Sequence, residues 1–439
     1  MCSMLPVLFC KFGTMFKFLL FLLFFPLMSF SQQGPGCSDD RNPVVLVHGF
    51  LASGDTWSAQ VNRLQKNGYC RDRIFLFDWN TTGGNIQKTG ALLDAMIDSA
   101  RKYCHTQQVD LAGHSAGGGL CYNYLTDSVN SLKVAHYIHI GSSPLKGPAG
   151  FKGNVPTLII SSEDDKVTGV QKEITGVESI RQKGQDHVQV QTSWETFQAI
   201  YSFLNNGKAP LHIAKAPSIR PTVKLSGRAV YFGDNEPVST DSILLYAVDP
   251  GTGFRKTSKP LHIIRSDNRG YWPAVEVASS QQLEWEIHPP GGRVISYFLE
   301  PQADDNSCVY LRCLPATGMV SAIFRKLPSD SVQSVLAVFT SQQAMIHGRD
   351  SLLVDGTVLT SEELAPANRT ILASFIFDDG DGQSSGKLLR SFGMGFFLNG
   401  VDKQILAGKD RSIRIFFNGR TMLLPCRPSA EALMVAVFN

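Results

Sequence analysis

The stretch Val109-Asp-Leu-Ala-Gly-His-Ser-Ala-Gly-Gly-Gly-Leu120 limits what this chain can fold into more than any other. A short run fit for a buried strand leads directly into Ser115, which is flanked by Gly113 and Gly117, and a helix-forming run follows. A strand-to-helix turn this abrupt strains the residue at its apex, and only tiny neighbours avoid clashes around it. Gly118 and Gly119 would let the helix that follows pack close to the sheet. The turn makes sense only at the C-terminal edge of a mostly parallel sheet, so the flanking sequence has to supply one.

It does so between Asn42 and about Asn206. Val44-Val-Leu-Val47, Ile74-Phe-Leu-Phe77, Val109-Asp-Leu-Ala112, Val134-Ala-His-Tyr-Ile-His-Ile140 and Thr157-Leu-Ile-Ile-Ser161 are apolar-rich runs of the length that buried parallel strands require. Helical spacing predicts helices over 57–66, 85–104, 115–124 and 194–204. The last carries Phe197, Ile200, Tyr201 and Leu204 on one stripe. Alternation of this kind predicts a doubly wound α/β sheet. Beyond Lys208 the helical period fades and short β runs recur between turns such as Asp249-Pro-Gly-Thr-Gly253 and Asp378-Asp-Gly-Asp-Gly382. This half is expected to form one or two all-β, sandwich-like modules, divided near Glu300 into 207–300 and 301–439. The final run, 432–438, reads as a strand tucked into a core.

The N-terminus is of another kind. Lys17 precedes the apolar run Phe18–Met28, which Pro26 interrupts, and Ser29 and Ser31 stand at the −3 and −1 positions of a cleavage site. This is the pattern of a secretory signal peptide over 1–31, too short for a comfortable bilayer span, and it predicts a secreted or periplasmic protein. No later segment predicts a transmembrane helix. An oxidising destination permits disulfides. Cys37, Cys70 and Cys104 could supply one bridge in the first domain, while Cys121, on a buried helix, is expected to stay a free thiol. The net charge of +3 in 439 residues comes with no basic stripe, which argues against a nucleic-acid partner. No Cys/His spacing suggests a metal, and no cofactor is expected.

A serine at such a turn needs a base, and the base needs an orienting acid. On this kind of sheet the acid follows the serine in the chain and the histidine follows the acid. Glu163, Asp164 and Asp165 all follow the strand that ends near Ser161. Asp164 is preferred because it stands three residues before Val167, and Asp165 is the alternative acid. His187, in Gly184-Gln-Asp-His187, is the one histidine that lies after the acid and before the α/β region closes. The backbone N–H groups of Ala116 and Phe50 are candidate oxyanion donors, with Gly49 allowing close approach and His48 bracing the loop.

Val45-Leu-Val-His-Gly-Phe50, Gly113-His-Ser-Ala-Gly-Gly118, Ser161-Ser-Glu-Asp164 and Gly184-Gln-Asp-His187 resemble the lipase branch of the α/β-hydrolase superfamily. The resemblance spans roughly residues 42–206. It implies a secreted carboxylic-ester hydrolase that acts on fatty-acyl esters through an acyl-enzyme, with a lipid or ester as its partner. The arrangement also resembles two-part lipases known from archaea, whose β-rich C-terminal part lies near the substrate. The stretch 225–288 resembles transthyretin-like or carboxypeptidase-regulatory modules. Only about a dozen residues separate the expected cleavage site after Ser31 from Val44, too few for the usual first two strands, so a minimal sheet of about six strands is expected. The 140–157 interval is too short for a large cap. The cover for an acyl chain must therefore be small, or come from the β half or the Asn80–Asn85 loop. The alternatives are a short-chain esterase, a thioesterase, transacylase or polyester depolymerase with the same triad, and an exported binding protein with an inert hydrolase fold.

Overall fold

Five short, largely buried strands that the apolar runs foretell, with one exposed strand at the edge, form the sheet. In this computed structural model, which describes residues 39–211, 220–393 and 397–439, they are β1 (Val44–Val47), β2 (Ile74–Phe77), β3 (Val109–His114), β4 (Val134–Ile140), β5 (Thr157–Ser162) and β6 (Glu178–Gln182). The order is β2-β1-β3-β4-β5-β6 and every pairing is parallel. The helices are α1 (Ser58–Lys66), α2 (Ile86–Cys104), α3 (Ala116–Tyr124), the single turns α4 (Ser128–Ser131) and α5 (Gln189–Thr192), and α6 (Trp194–Leu204). Successive side chains of a strand point to opposite faces, and the two cores follow that alternation. Val44 and Leu46 pack with Trp57, Phe197 and Ile200 on one face. Val45 and Val47 pack with Leu93, Ile97 and Leu120 on the other. The minimal hydrolase sheet expected from the sequence is the sheet observed. Its sixth strand, Glu178-Ser-Ile-Arg-Gln182, is an exposed edge strand without an apolar run.

The β half is not divided near residue 300. Thr222–Tyr231 pairs antiparallel with Tyr271–Ala278 and parallel with Asn306–Cys313, so the three-stranded sheet already crosses that boundary. A nine-stranded sheet crosses it again. Its middle strand, Leu433–Phe438, lies parallel between Ile295–Leu299 and Val335–Thr340. A four-stranded sheet is built from Leu352–Val354, Thr357–Val358, Gly408–Phe417 and Arg420–Cys426. The expected modules 207–300 and 301–439 are therefore interleaved, because the chain's last strand fills the gap between an early strand and a late one. That strand is buried almost throughout, as its sequence predicts. A helix over Gly318–Phe324 was not expected. The two halves share core: Val230, Cys308 and Tyr310 join the cluster around Trp57 and Phe197.

Cys70 is disulfide-bonded, while Cys104, Cys121, Cys308, Cys313 and Cys426 are buried free thiols. Cys37 and the expected signal peptide lie outside the described residues. Among the described residues, no helix is long and apolar enough to cross a membrane.

Candidate active site

Ser115 sits between β3 and α3 with φ +53° and ψ −126°, a left-handed conformation that a non-glycine residue adopts only under constraint. The constraint is steric. A Cβ on Gly113 would lie 2.6 Å from the Gly117 carbonyl oxygen, and one on Gly117 would lie 2.4 Å from that of His48. Gly118 is equally closed, with Ser142 Oγ at 2.6 Å, whereas a Cβ on Gly119 would meet nothing within 4 Å. Three of the four glycines are thus demanded by the turn, and Gly119 is not.

His187, which is buried, completes a continuous chain of hydrogen bonds. Its Nδ1 lies 2.8 Å from Asp165 Oδ2 and its Nε2 lies 2.9 Å from Ser115 Oγ. An ionised carboxylate only accepts, so the ring proton rests on Nδ1 and Nε2 is free to accept the serine hydroxyl proton. Asp165 is 2 % exposed. Its Oδ1 also accepts the N–H groups of Val167 and Thr168, and its Oδ2 the Thr168 hydroxyl. Burial alone would raise its pKa. The bonds from His187, Thr168 and Val167 outweigh burial and hold the carboxyl at about 2.

The preferred acid of the sequence reading, Asp164, does not touch His187. Its side chain is half exposed and accepts the N–H of Gly184 at 2.6 Å, with Lys166 at 3.9 Å. The strand extends through Ser162 rather than stopping at Ser161, and the turn beyond it folds around Asp165. The alternative acid is the one the structure places at the histidine.

Both expected oxyanion donors flank Ser115. Ala116 opens α3, where first-turn N–H groups have no partner within the helix. Phe50 lines the pocket at Ser115, and among the described residues its N–H makes no intramolecular hydrogen bond. His48 braces the loop as expected, with Nδ1 donating to the Gly49 carbonyl at 2.8 Å. One contributor was not expected. His114, the residue before the nucleophile position, lies beside His187 with the two rings tilted by 40° and 4.7 Å between centroids, and donates Nε2–H to its carbonyl at 2.8 Å. Burial first, and then the charge of His187 when protonated, drive His114 down to about 3, so it stays neutral.

The pocket over Ser115 is built from both halves. Phe50 and Val188 come from the α/β region, and Phe232, Leu299, Val309 and Phe339 from the β half. The Asn80–Asn85 loop is not part of its wall. Arg312, paired with Asp55 at 2.5 Å, is a charged element in this mostly apolar lining. The β half also grips the histidine loop: Arg349 Nη1 reaches Asp186 Oδ2 at 2.8 Å, and the Thr192 hydroxyl donates to the Gln342 carbonyl at 2.6 Å. Metal-ligand geometry among the described residues is confined to Asp378, Asp379 and Asp402, none of which lines this pocket.

The chain carries an α/β-hydrolase fold. Residues 42–150 match the family model described as alpha/beta hydrolase fold, and residues 221–314 match the model described as lipase C-terminal domain. The two matches give the chain its likeness to hydrolases of lipase type. Among solved structures it is similar to a monoacylglycerol lipase from Paleococcus ferrophilus, at 14% identity and TM-score 0.30, over 38% of this chain and 97% of that one. An esterase from Exiguobacterium antarcticum is similar at 16% identity and TM-score 0.30, over 37% and 91% of the two chains.

Proposed function

We propose that the protein is a serine ester hydrolase of lipase type, exported from the cell, that cleaves fatty-acyl esters through an acyl-enzyme on Ser115. The observation that carries this reading is the unbroken chain Ser115–His187–Asp165 at a strained turn facing an apolar pocket. In this mechanism Ser115 Oγ attacks the ester carbonyl carbon as its proton passes to His187 Nε2. Asp165, ionised at any working pH, stabilises the imidazolium without taking its proton. The N–H groups of Ala116 and Phe50 hold the oxyanion. His187 then gives the proton to the departing alkoxide, the acyl group stays on Ser115, and water releases it by the same steps in reverse. The Phe232, Leu299, Val309 and Phe339 side chains supply the apolar cover that the short 140–157 interval lacks, which favours acyl chains over small soluble esters. Export rests on the 1–31 segment.

The test is hydrolysis of p-nitrophenyl esters from C2 to C16 by the wild type and Ser115→Ala. Activity that rises toward long chains and falls by about 10³-fold or more on substitution is expected. Activity confined to the shortest esters would make it an esterase with an open site. Folded protein inactive on every ester would overturn the reading.

A further inference from the structure

The loop that carries the Phe50 N–H is organised by a residue of the β half. His48 is fully buried, and its Nε2 faces two donors, the Trp79 N–H and the Asn235 side-chain amide, each at 3.3 Å. Facing donors, Nε2 must be the accepting nitrogen, which places the ring proton on Nδ1, where it donates to the Gly49 carbonyl. That carbonyl and the Phe50 N–H belong to one planar trans peptide and point in opposite directions. Fixing the one therefore aims the other away from His48. The same peptide lies hard against the nucleophile, since a Cβ on Gly49 would come within 2.9 Å of Ser115 Cβ.

Asn235 holds this arrangement together. It lies in the turn after Thr222–Tyr231, is 4 % exposed and has φ +58°, a left-handed conformation that asparagine tolerates better than most residues. Its Nδ2 donates to the carbonyls of Ala52 at 2.8 Å and Trp79 at 2.9 Å, besides its longer contact with His48, and its Oδ1 accepts the Ser53 hydroxyl at 2.6 Å. A single amide thus ties both ends of the 48–53 loop to the segment after β2. The neighbouring tie has the same direction: Tyr310, also from the β half, donates to Asp78, which in turn accepts the Gly54 N–H at 2.7 Å.

We infer that Asn235 is a positioning residue for the oxyanion loop, acting through His48 and the Gly49–Phe50 peptide without touching substrate. This inference rests on the serine-hydrolase reading above and gives the β half a role in the chemical step, separate from sheltering an acyl chain.

The test uses the full chain and a C4 p-nitrophenyl ester, which depends little on acyl cover. Asn235→Asp keeps the shape but sets an acceptor against two carbonyls, and Asn235→Gly keeps the left-handed backbone but deletes the amide. Each is expected to lower kcat about 10- to 100-fold, with KM within about twofold, when assayed well below its melting temperature. Unchanged kcat in either folded variant would overturn the inference while the hydrolase reading stood, and so would a rise in KM alone. Should the wild type leave the C4 ester intact, the same comparison is read on the shortest ester it cleaves, and a wild type inactive on every ester from C2 to C16 would overturn both.

Discussion

Asp164 and Asp165 are neighbours in the chain with opposite surroundings. Asp164 is half in solvent and closes a turn at Gly184, whereas Asp165 is buried and bonded to His187, Val167 and Thr168. Asp165→Asn would put an amide at His187 Nδ1, stabilising the wrong tautomer and leaving Ser115 without a base. A fall in kcat of about 10³- to 10⁴-fold is expected, against a change within about twofold for Asp164→Asn, both read on the ester that the wild type cleaves fastest. At this scale the sequence was most informative where chain order left few options: Ser115 through its glycines, His187 through its place after the acids. The acid was misplaced by one residue because the three-residue spacing from Asp164 to Val167 fixes no strand end, and β5 runs to Ser162, one residue past the strand read over 157–161. His114 stood inside the motif, but nothing in the sequence says that its imidazole reaches the His187 carbonyl.

The element that matters most is the turn from β3 into α3, and its glycines are not equivalent. A Cβ on Gly117 would press on the backbone oxygens of His48 and Val47 at 2.4 and 2.5 Å, atoms that cannot move without shifting β1. Gly117→Ala should cost about 2–3 kcal/mol of stability, by the usual penalty for overpacking. Gly119, inside α3 with open space around it, should behave as an ordinary helical glycine, and Gly119→Ala should gain about 0.5–1 kcal/mol. Urea unfolding of the two variants measures both signs. Strands buried on both faces were legible because they must be continuously apolar. The edge strand Glu178–Gln182 was not, since one side of it meets water and its residues alternate with no strong bias. In the β half, Tyr271–Ala278 is buried only at Trp272, Val275 and Val277, which reads as a loop until its partner Thr222–Tyr231 is in place.

For the molecule as a whole, the two halves build one pocket around Ser115. Strands from before and after residue 300 share sheets, the β half walls the pocket over Ser115, Asn235 and Arg349 reach the loops that carry Phe50 and His187, and Tyr310 reaches Asp78, which holds the Gly54 N–H. None of this could be read from spacing, because the contacts join residues from 81 positions apart, as Leu225 and Asn306 are, to 232 apart, as Asp78 and Tyr310 are. The composition shift near Lys208 marks a change of architecture, and the split near Glu300 was wrong because parallel pairing by the last strand leaves no local signal. The claim on which everything else depends is that Ser115 is an activated nucleophile. Intact-mass analysis after exposure to an alkyl fluorophosphonate tests it most directly. The account predicts a single adduct, mapped to the peptide containing Ser115, absent in Ser115→Ala and formed at least about 10²-fold more slowly in His187→Ala. Folded wild-type protein that takes up no adduct, or an adduct that persists in Ser115→Ala, would contradict it.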